Sequence, residues 1–211
     1  MVSIGILIPA RMGSTRFPNK PYCDLDGMTM IERVVAGCGN KYPVHVCTDM
    51  AIPHALYSDL KFDNGTARVA FHNKDLNYDI VVNVQGDMPD IRPDMIESVI
   101  SGLGEVATLH TTMKPELLAD PNTVKMTLPV DFTRDAAEGY HHLGVYAYTR
   151  DTLASYCLLD KSKREEDLGL EQLRWIDNGV SINSTYVDFE GIEINTPVDR
   201  DKWNEVRKSL G

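Results

Sequence analysis

The sequence predicts an α/β domain built on a mainly parallel sheet. Two short apolar runs, Val2 to Ile8 and Asp79 to Val84, are rich in β-branched residues, the pattern of strands buried on both faces. A third strand is expected over Pro43 to Asp49, and before it Met30, Ile31, Val34 and Val35 fall at helical spacing. Together these make a right-handed βαβ unit. At 211 residues the chain suits one such domain over 1–211, with no internal repeat or linker, and 43% hydrophobic residues suffice for one core. A formal charge of -10 argues against nucleic acid or a membrane surface as partner. Substrates should be small, with any anion held by local cations. Cys23, Cys38, Cys47 and Cys157 have neither C-x-x-C nor metal-ligand spacing and read as reduced thiols. No bilayer-length apolar stretch or signal-peptide pattern occurs, so a cytoplasmic location is expected.

Taken in order, the first strand should stop at Pro9, which has no N–H for a ladder. The loop after it sets Arg11, Arg16 and Lys20 around Gly13, Ser14 and Thr15. Small residues let backbone N–H groups approach a ligand, and the cations add fixed charge, which suits a polyphosphate. A solvated basic loop is the plainer alternative. Ile8-Pro9-Ala10-Arg11 followed by Ser14-Thr15-Arg16-Phe17-Pro18-Asn19-Lys20-Pro21 resembles the amino-terminal signature of the 3-deoxy-manno-octulosonate cytidylyltransferases, the CMP-Kdo synthetases, close relatives of the CMP-sialic acid synthetases. The resemblance implies that the loop, with Pro9, Ala10, Arg11, Gly13, Ser14, Thr15, Arg16 and Lys20, wraps the triphosphate of CTP. Asn19 replaces the family's Gly, and Asn is the next best residue at the positive-φ position of a turn opened by Pro18.

Asp26-Gly27 marks a tight turn before the helix, expected over Met28 to Gly37. His45, inside the third strand, reads as a packed residue. Residues 50–78 show no clear periodicity. Within them Gly65, Thr66 and Arg68 match a family segment beside the nucleotide base, although Ala67 replaces its acid. The strand over 79–84 delivers Gln85-Gly86-Asp87 to the crevice where α/β sheets bind ligands. A carboxylate facing a triphosphate requires a cation between them, and Mg²⁺ fits. A helix cap is the alternative for a lone Asp. Val82-Asn83-Val84-Gln85-Gly86-Asp87 resembles the family's second signature, which implies Asp87 as a metal ligand, while Met88 replaces the following Glu.

A helix over Pro93 to Leu103 and a strand over Val106 to Thr112 follow. Another strand should begin near Lys125, and Phe132-Thr133-Arg134 matches a Phe-Ser-Arg element. The connections around it are shorter than in the family, where the region contributes to dimerisation, so a homodimer is possible but in doubt. His141 to Tyr148 resembles the family's Arg-His-Leu-Gly-Ile-Tyr strand. That implies His142, with Gln85, at the sugar as a hydroxyl or carboxylate partner. Adjacent His141 must face the other way and replaces a cation. The charge run over 161–167 reads as a solvated helix start, and Leu168 to Ile176 as an amphipathic helix. Glu171 and Gln172 match a Glu-Gln-Leu-Arg segment beside the sugar. A late strand over Val180 to Val187 and a helix from Val198 to about Leu210 close the chain. Between them Asn195-Thr196-Pro197 stands where the family carries Asp-Thr-Pro. If 193–195 is a strand, Glu193 and Asn195 share a face, and the pair would join Asp87 around Mg²⁺.

The implied fold is a Rossmann-like nucleotidyltransferase α/β domain, a twisted, mostly parallel sheet with helices on both faces. The implied reaction is Mg²⁺-dependent transfer of CMP from CTP to Kdo, with Arg11, Arg16 and Lys20 opposing phosphate charge. Three alternatives stand: another acid sugar such as a sialic-type nonulosonate or 8-amino Kdo, another nucleoside triphosphate, or a nucleotide-binding protein without turnover.

Overall fold

The structure is a computed structural model that describes residues 1–13, 17–135 and 138–210. Its elements in chain order are β1 (Ile4–Ala10), β2 (Asp24–Leu25), β3 (Met28–Thr29), α1 (Met30–Gly37), β4 (Val44–Thr48), β5 (Leu56–Tyr57), α2 (Gly65–Leu76), β6 (Ile80–Val84), α3 (Pro93–Ser101), β7 (Val106–Thr111), α4 (Pro115–Leu118), β8 (Lys125–Thr127), β9 (Asp131–Thr133), β10 (Tyr140–Thr149), α5 (Arg150–Ser155), α6 (Lys163–Leu168), α7 (Leu173–Asp177), β11 (Ile182–Tyr186) and α8 (Pro197–Leu210). The main sheet has the order β11-β7-β10-β6-β1-β4-β5, with β8 and β9 extending from β10. Strand pairs β11/β7, β6/β1, β1/β4 and β4/β5 are parallel, and β10 runs against both of its neighbours. The mainly parallel α/β fold expected from the sequence is therefore found, with one reversed strand inside it.

Strand alternation divides the core between the two faces of this sheet. Ile6 and Ile8 of β1 join Val34 of α1 and Met95 and Val99 of α3 on one side. Leu7 joins Val69 of α2, Leu153 of α5 and Trp175 of α7 on the other. Both layers are apolar and closely filled, so helices cover both faces, as an all-buried strand requires. A third cluster, Phe17, Cys23, Leu25, Met30, Ile194 and Trp203, docks α8 and the β2–β3 hairpin beside the phosphate-side loop. That hairpin turns on Asp26 (φ 53) and Gly27 (φ 78), the left-handed pair of a type I′ turn, as its Asp-Gly predicted.

Several boundaries move. Pro9 does not stop β1, which runs on to Ala10. The N–H of Ile6 donates to Pro43 O (2.9 Å), so even-numbered residues face β4 and Pro9 faces β6. Pairing with β6 has already ended at Leu7, so no ladder bond is lost there. Helix α1 starts after Thr29, whose hydroxyl forms a capping box with Glu32. Residues 50–78, unreadable by period, contain the 12-residue helix α2, capped by the Asn64 side chain on Ala67 N–H. An Asn-Gly that looks like a turn is here an N-cap and first helical residue. The helix expected over 168–176 is confined to α7 from Leu173, because Gly169 takes φ 61 and ends α6, which occupies the preceding charge run. Residues 193–195 are not a strand.

The charge run is not wholly solvated either. Glu165 and Arg174 are 4% and 6% exposed and form a two-bond fork, Nε–Oε2 2.8 Å and Nη2–Oε1 2.7 Å. Among the described residues no helix is long and apolar enough to cross a membrane. Removing one partner of a buried fork strands the other charge. Glu165→Ala should therefore lower the unfolding free energy by about 3 kcal/mol in urea denaturation, since Asp63 offers Arg174 only a longer contact at 3.6 Å. Glu165→Leu combined with Arg174→Met should recover most of that loss.

Candidate active site

A cleft of about 520 Å³ opens at the carboxyl ends of β1 and β6. Pro9, Ala10, Arg11, Lys20, Gly65, Arg68, Gln85, Asp87, His142, Glu171, Gln172, Glu193 and Asn195 all line it. These lie in segments far apart in sequence and are gathered by the strand order. Two sequence-predicted residues are elsewhere. Gly13 is exposed, and a Cβ on it would meet nothing. Thr66 is buried behind the wall, its hydroxyl bonded to Glu171 (3.1 Å) and Tyr148 (3.2 Å). Thr66 thus braces the cleft wall. Ser14, Thr15 and Arg16 lie outside the described residues.

At one end stand the cations. Asn19 takes φ 57, the left-handed position expected of it, and turns the chain into a short 3-10 helix that begins at Lys20. Lys20 Nζ lies 2.7 Å from Asp87 Oδ2 at the end of the β6 loop, with both side chains partly exposed. Arg11 is exposed beside them. Arg68, on α2, is buried at 5% exposure against the Phe62 ring, 3.7 Å from Asp49, and its Nη1 has no hydrogen-bond partner. A buried, half-satisfied guanidinium in a cleft wall is set to receive an acceptor from a ligand. Asp49 also accepts the Met12 N–H (3.1 Å), which braces the phosphate-side loop against β4. Sequence reading missed Asp49, although an Asp closing a predicted strand was a visible signal.

The segment 188–196 brings the remaining oxygen donors alongside. Ile194 N–H donates to Asp87 O (2.9 Å), so Glu193 and Asn195 flank the Asp87 loop even without a strand. Asn195 N–H in turn donates to Asp199 Oδ2 (3.0 Å) within the cap of α8. Among the described residues no three His, Cys, Asp or Glu side chains gather as a metal cage. One or two carboxylates and an amide suit Mg²⁺ instead, which completes its octahedron with phosphate and water.

The other end holds an uncharged histidine among closely bonded polar and charged side chains. His142 is buried, and burial followed by the neighbouring His141 and His110 pushes its pKa down to about 3. The Thr108 hydroxyl donates to Val145 O (2.9 Å), so His142 Nε2 (3.0 Å from that hydroxyl) is its donor and Nδ1 carries the lone pair. An uncharged ring can still bond a neutral hydroxyl. His141 faces away, as alternation required, with Nε2 3.6 Å from Glu193. Glu171 accepts from Thr66 N–H (3.3 Å) at the start of α2 and from Gln85 Nε2 (3.3 Å), and burial raises its pKa. Gln85 lies over Gly144, where a Cβ would come within 2.8 Å of Gln85 Cγ. Asn122, Val124, Arg134, Tyr146 and Lys161 complete this end. Arg134 donates to the carbonyls of Leu168, Pro121 and Asn122, which fastens the β9 end to the α6 turn.

A mainly parallel α/β sheet with a basic loop and a carboxylate at adjoining strand ends defines a nucleotidyltransferase. A family model described as Cytidylyltransferase matches residues 5–51. The 3-deoxy-manno-octulosonate cytidylyltransferase of Methylorubrum populi is 36% identical over 93% of this chain and 94% of its own length. The proteins of that name from Paramagnetospirillum magneticum and Escherichia coli are 34% and 33% identical, over 97% and 93% of both chains. The structure of CMP:2-keto-3-deoxy-manno-octonic acid synthetase complexed with CTP superposes with TM-score 0.88 at 30% identity, covering 99% of this chain and 100% of that one. The fold alone extends to a 4-diphosphocytidyl-2C-methyl-D-erythritol synthase from Anaerococcus prevotii, TM-score 0.64 at 14% identity. The chain belongs to the 3-deoxy-manno-octulosonate cytidylyltransferase family. The Methylorubrum alignment runs over 234 positions against a chain of 211, so this member lacks segments that its relative carries.

Buried neutral histidine makes stability depend on pH. The unfolded chain protonates this ring below about pH 6.5, and the folded chain refuses the proton until about pH 3. Its contribution is full above about 6.5 and is lost as pH falls through that window. Urea midpoints measured across this range should fall steeply in the wild type and less steeply in His142→Gln.

Proposed function

We propose that this chain transfers CMP from CTP to a 3-deoxy-2-ulosonic acid, Kdo by preference. The anomeric hydroxyl oxygen forms the new bond to the α-phosphorus as its proton passes to water, the bond from that phosphorus to the bridging oxygen breaks, and pyrophosphate leaves. The observation that carries this reading is the two-ended cleft, with Lys20 and Asp87 at one end and neutral His142 with Gln85 and Gln172 at the other. Phosphoryl transfer of this kind depends on positioning and charge neutralisation, which is what these side chains supply. Lys20, Arg11 and Arg16 oppose the charge of the triphosphate and of the departing pyrophosphate. Gly65 and Arg68 border the nucleotide. His142 orients a sugar hydroxyl, and Glu171 holds Gln85 in place. Asp87 and Asn195, with Glu193 adding charge directly or through water, would hold Mg²⁺, which would supply neutralisation of phosphate charge. Four free cysteines and the absence of a membrane-crossing helix among the described residues support a cytoplasmic setting.

Pyrophosphate release with CTP, Kdo and Mg²⁺, and much less with ATP or GTP, is the expected result. CTP binding without product from any acid sugar would overturn catalysis in favour of a binding protein. Lys20→Ala should slow turnover by about 3 kcal/mol in the barrier while leaving the folded state intact. An unchanged rate would remove Lys20 from the site.

An amide coordinates Mg²⁺ less strongly than a carboxylate does. In a magnesium titration, Asn195→Asp should therefore lower the concentration giving half activity, and Glu193→Ala should raise it. If neither shifts, the ion is held by other residues.

A further inference from the structure

The segment carrying Glu193 and Asn195 is a wall with a cavity on each side. Both residues line the cleft and also a second cavity of about 730 Å³ bounded by α1, α4 and α8. Ile194 anchors the wall by packing with Phe17, Leu25, Met30 and Trp203, but a wall hollow on both faces is not oriented by packing alone. Its heading falls to polar ties: Ile194 N–H to Asp87 O, Asn195 N–H to Asp199 Oδ2, and a third set made by Asp90 at Ile192. Asp90 Oδ2 accepts the Ile192 N–H (3.0 Å). Both its oxygens accept the Trp203 indole N–H (3.0 Å each), and Oδ1 accepts from Arg207 (3.1 Å). One carboxylate thus joins the β6 loop, the wall and α8. The approach is so close that a Cβ on Gly191 would lie 2.6 Å from Asp90 Cβ.

We propose that Asp90 is a positioning residue whose carboxylate steadies the wall that carries Glu193 and Asn195 beside Asp87. The inference rests on the metal reading above. Asp90 itself does not line the cleft, so it acts only through the wall. Three donors with different directions, one from the wall backbone and two from α8, converge on it. Without them the wall keeps Ile194 and its bonds to Asp87 and Asp199 but loses the tie at Ile192 that joins it to α8.

The test is Mn²⁺ binding in the presence of CTP, followed by electron paramagnetic resonance, together with amide hydrogen exchange. Wild type, Asp90→Asn, Asp90→Ala and Gly191→Ala are compared. Asp90→Ala should weaken Mn²⁺ binding about tenfold or more and speed exchange at Ile192. Asp90→Asn, which keeps one carbonyl acceptor, should fall between it and wild type. CTP affinity measured in EDTA should change by less than about twofold. Should Asp90→Ala fail to fold, Gly191→Ala displaces the wall sterically with Asp90 retained and should give the same weakening. Faster exchange with unchanged Mn²⁺ affinity would overturn the positioning role alone, as would a parallel loss of CTP affinity in EDTA. A wild type that binds no Mn²⁺ with CTP would overturn the metal reading, and this inference with it.

Discussion

The two ends of the cleft are held to each other by the carboxylate of Glu171. It sits in the turn between α6 and α7, accepts the Thr66 N–H and hydroxyl at the start of α2, and accepts the amide of Gln85 beyond β6. A helix start leaves N–H groups unpaired and carries partial positive charge, so a buried acid there is satisfied where elsewhere it would be costly. Burial still raises its pKa, which shows that the bonds offset desolvation only in part. Through this group α2, the carboxyl end of β6 and the turn between α6 and α7 become one rigid frame.

Charge is distributed by the same logic. An acidic chain must present cations to a polyanion without letting its own carboxylates cancel them. Charge is also spent on architecture: Glu165 with Arg174 as a buried fork, and Asp90 with an exposed Arg207 by a single bond. Lys20 and Asp87 are both partly exposed and close to each other, so their pairing is weak and open to exchange for a ligand.

What the sequence made legible was whatever local chemistry dictates. The β1, β4 and β6 strands, the Asp26-Gly27 turn and the left-handed Asn19 each follow from a few adjacent residues. Opposite faces for His141 and His142 followed from strand alternation alone. The missing pieces depended on tertiary context. Helix α2 escaped because it is buried on more than one side, so it carries polar Arg68, His72 and Asn73 inward and shows little amphipathic contrast. Thr66 matched a signature but turned inward to Glu171, a partner 105 residues away. Glu165 looked like a solvated charge because its partner is Arg174, nine residues on and across a Gly169 break. Pro9 was read by a sound rule, but which neighbour its missing N–H would have faced is a property of the sheet.

The reversed strand β10 has a consequence for how such an enzyme can diverge. Running against β6 and β7, it enters the sheet where the parallel strands leave it, so His142 near its beginning meets the cleft that β1 and β6 reach with their last residues. Changes in the connections ahead of β10 therefore alter what enters the cleft beside His142 without touching the loops that follow β1 and β6.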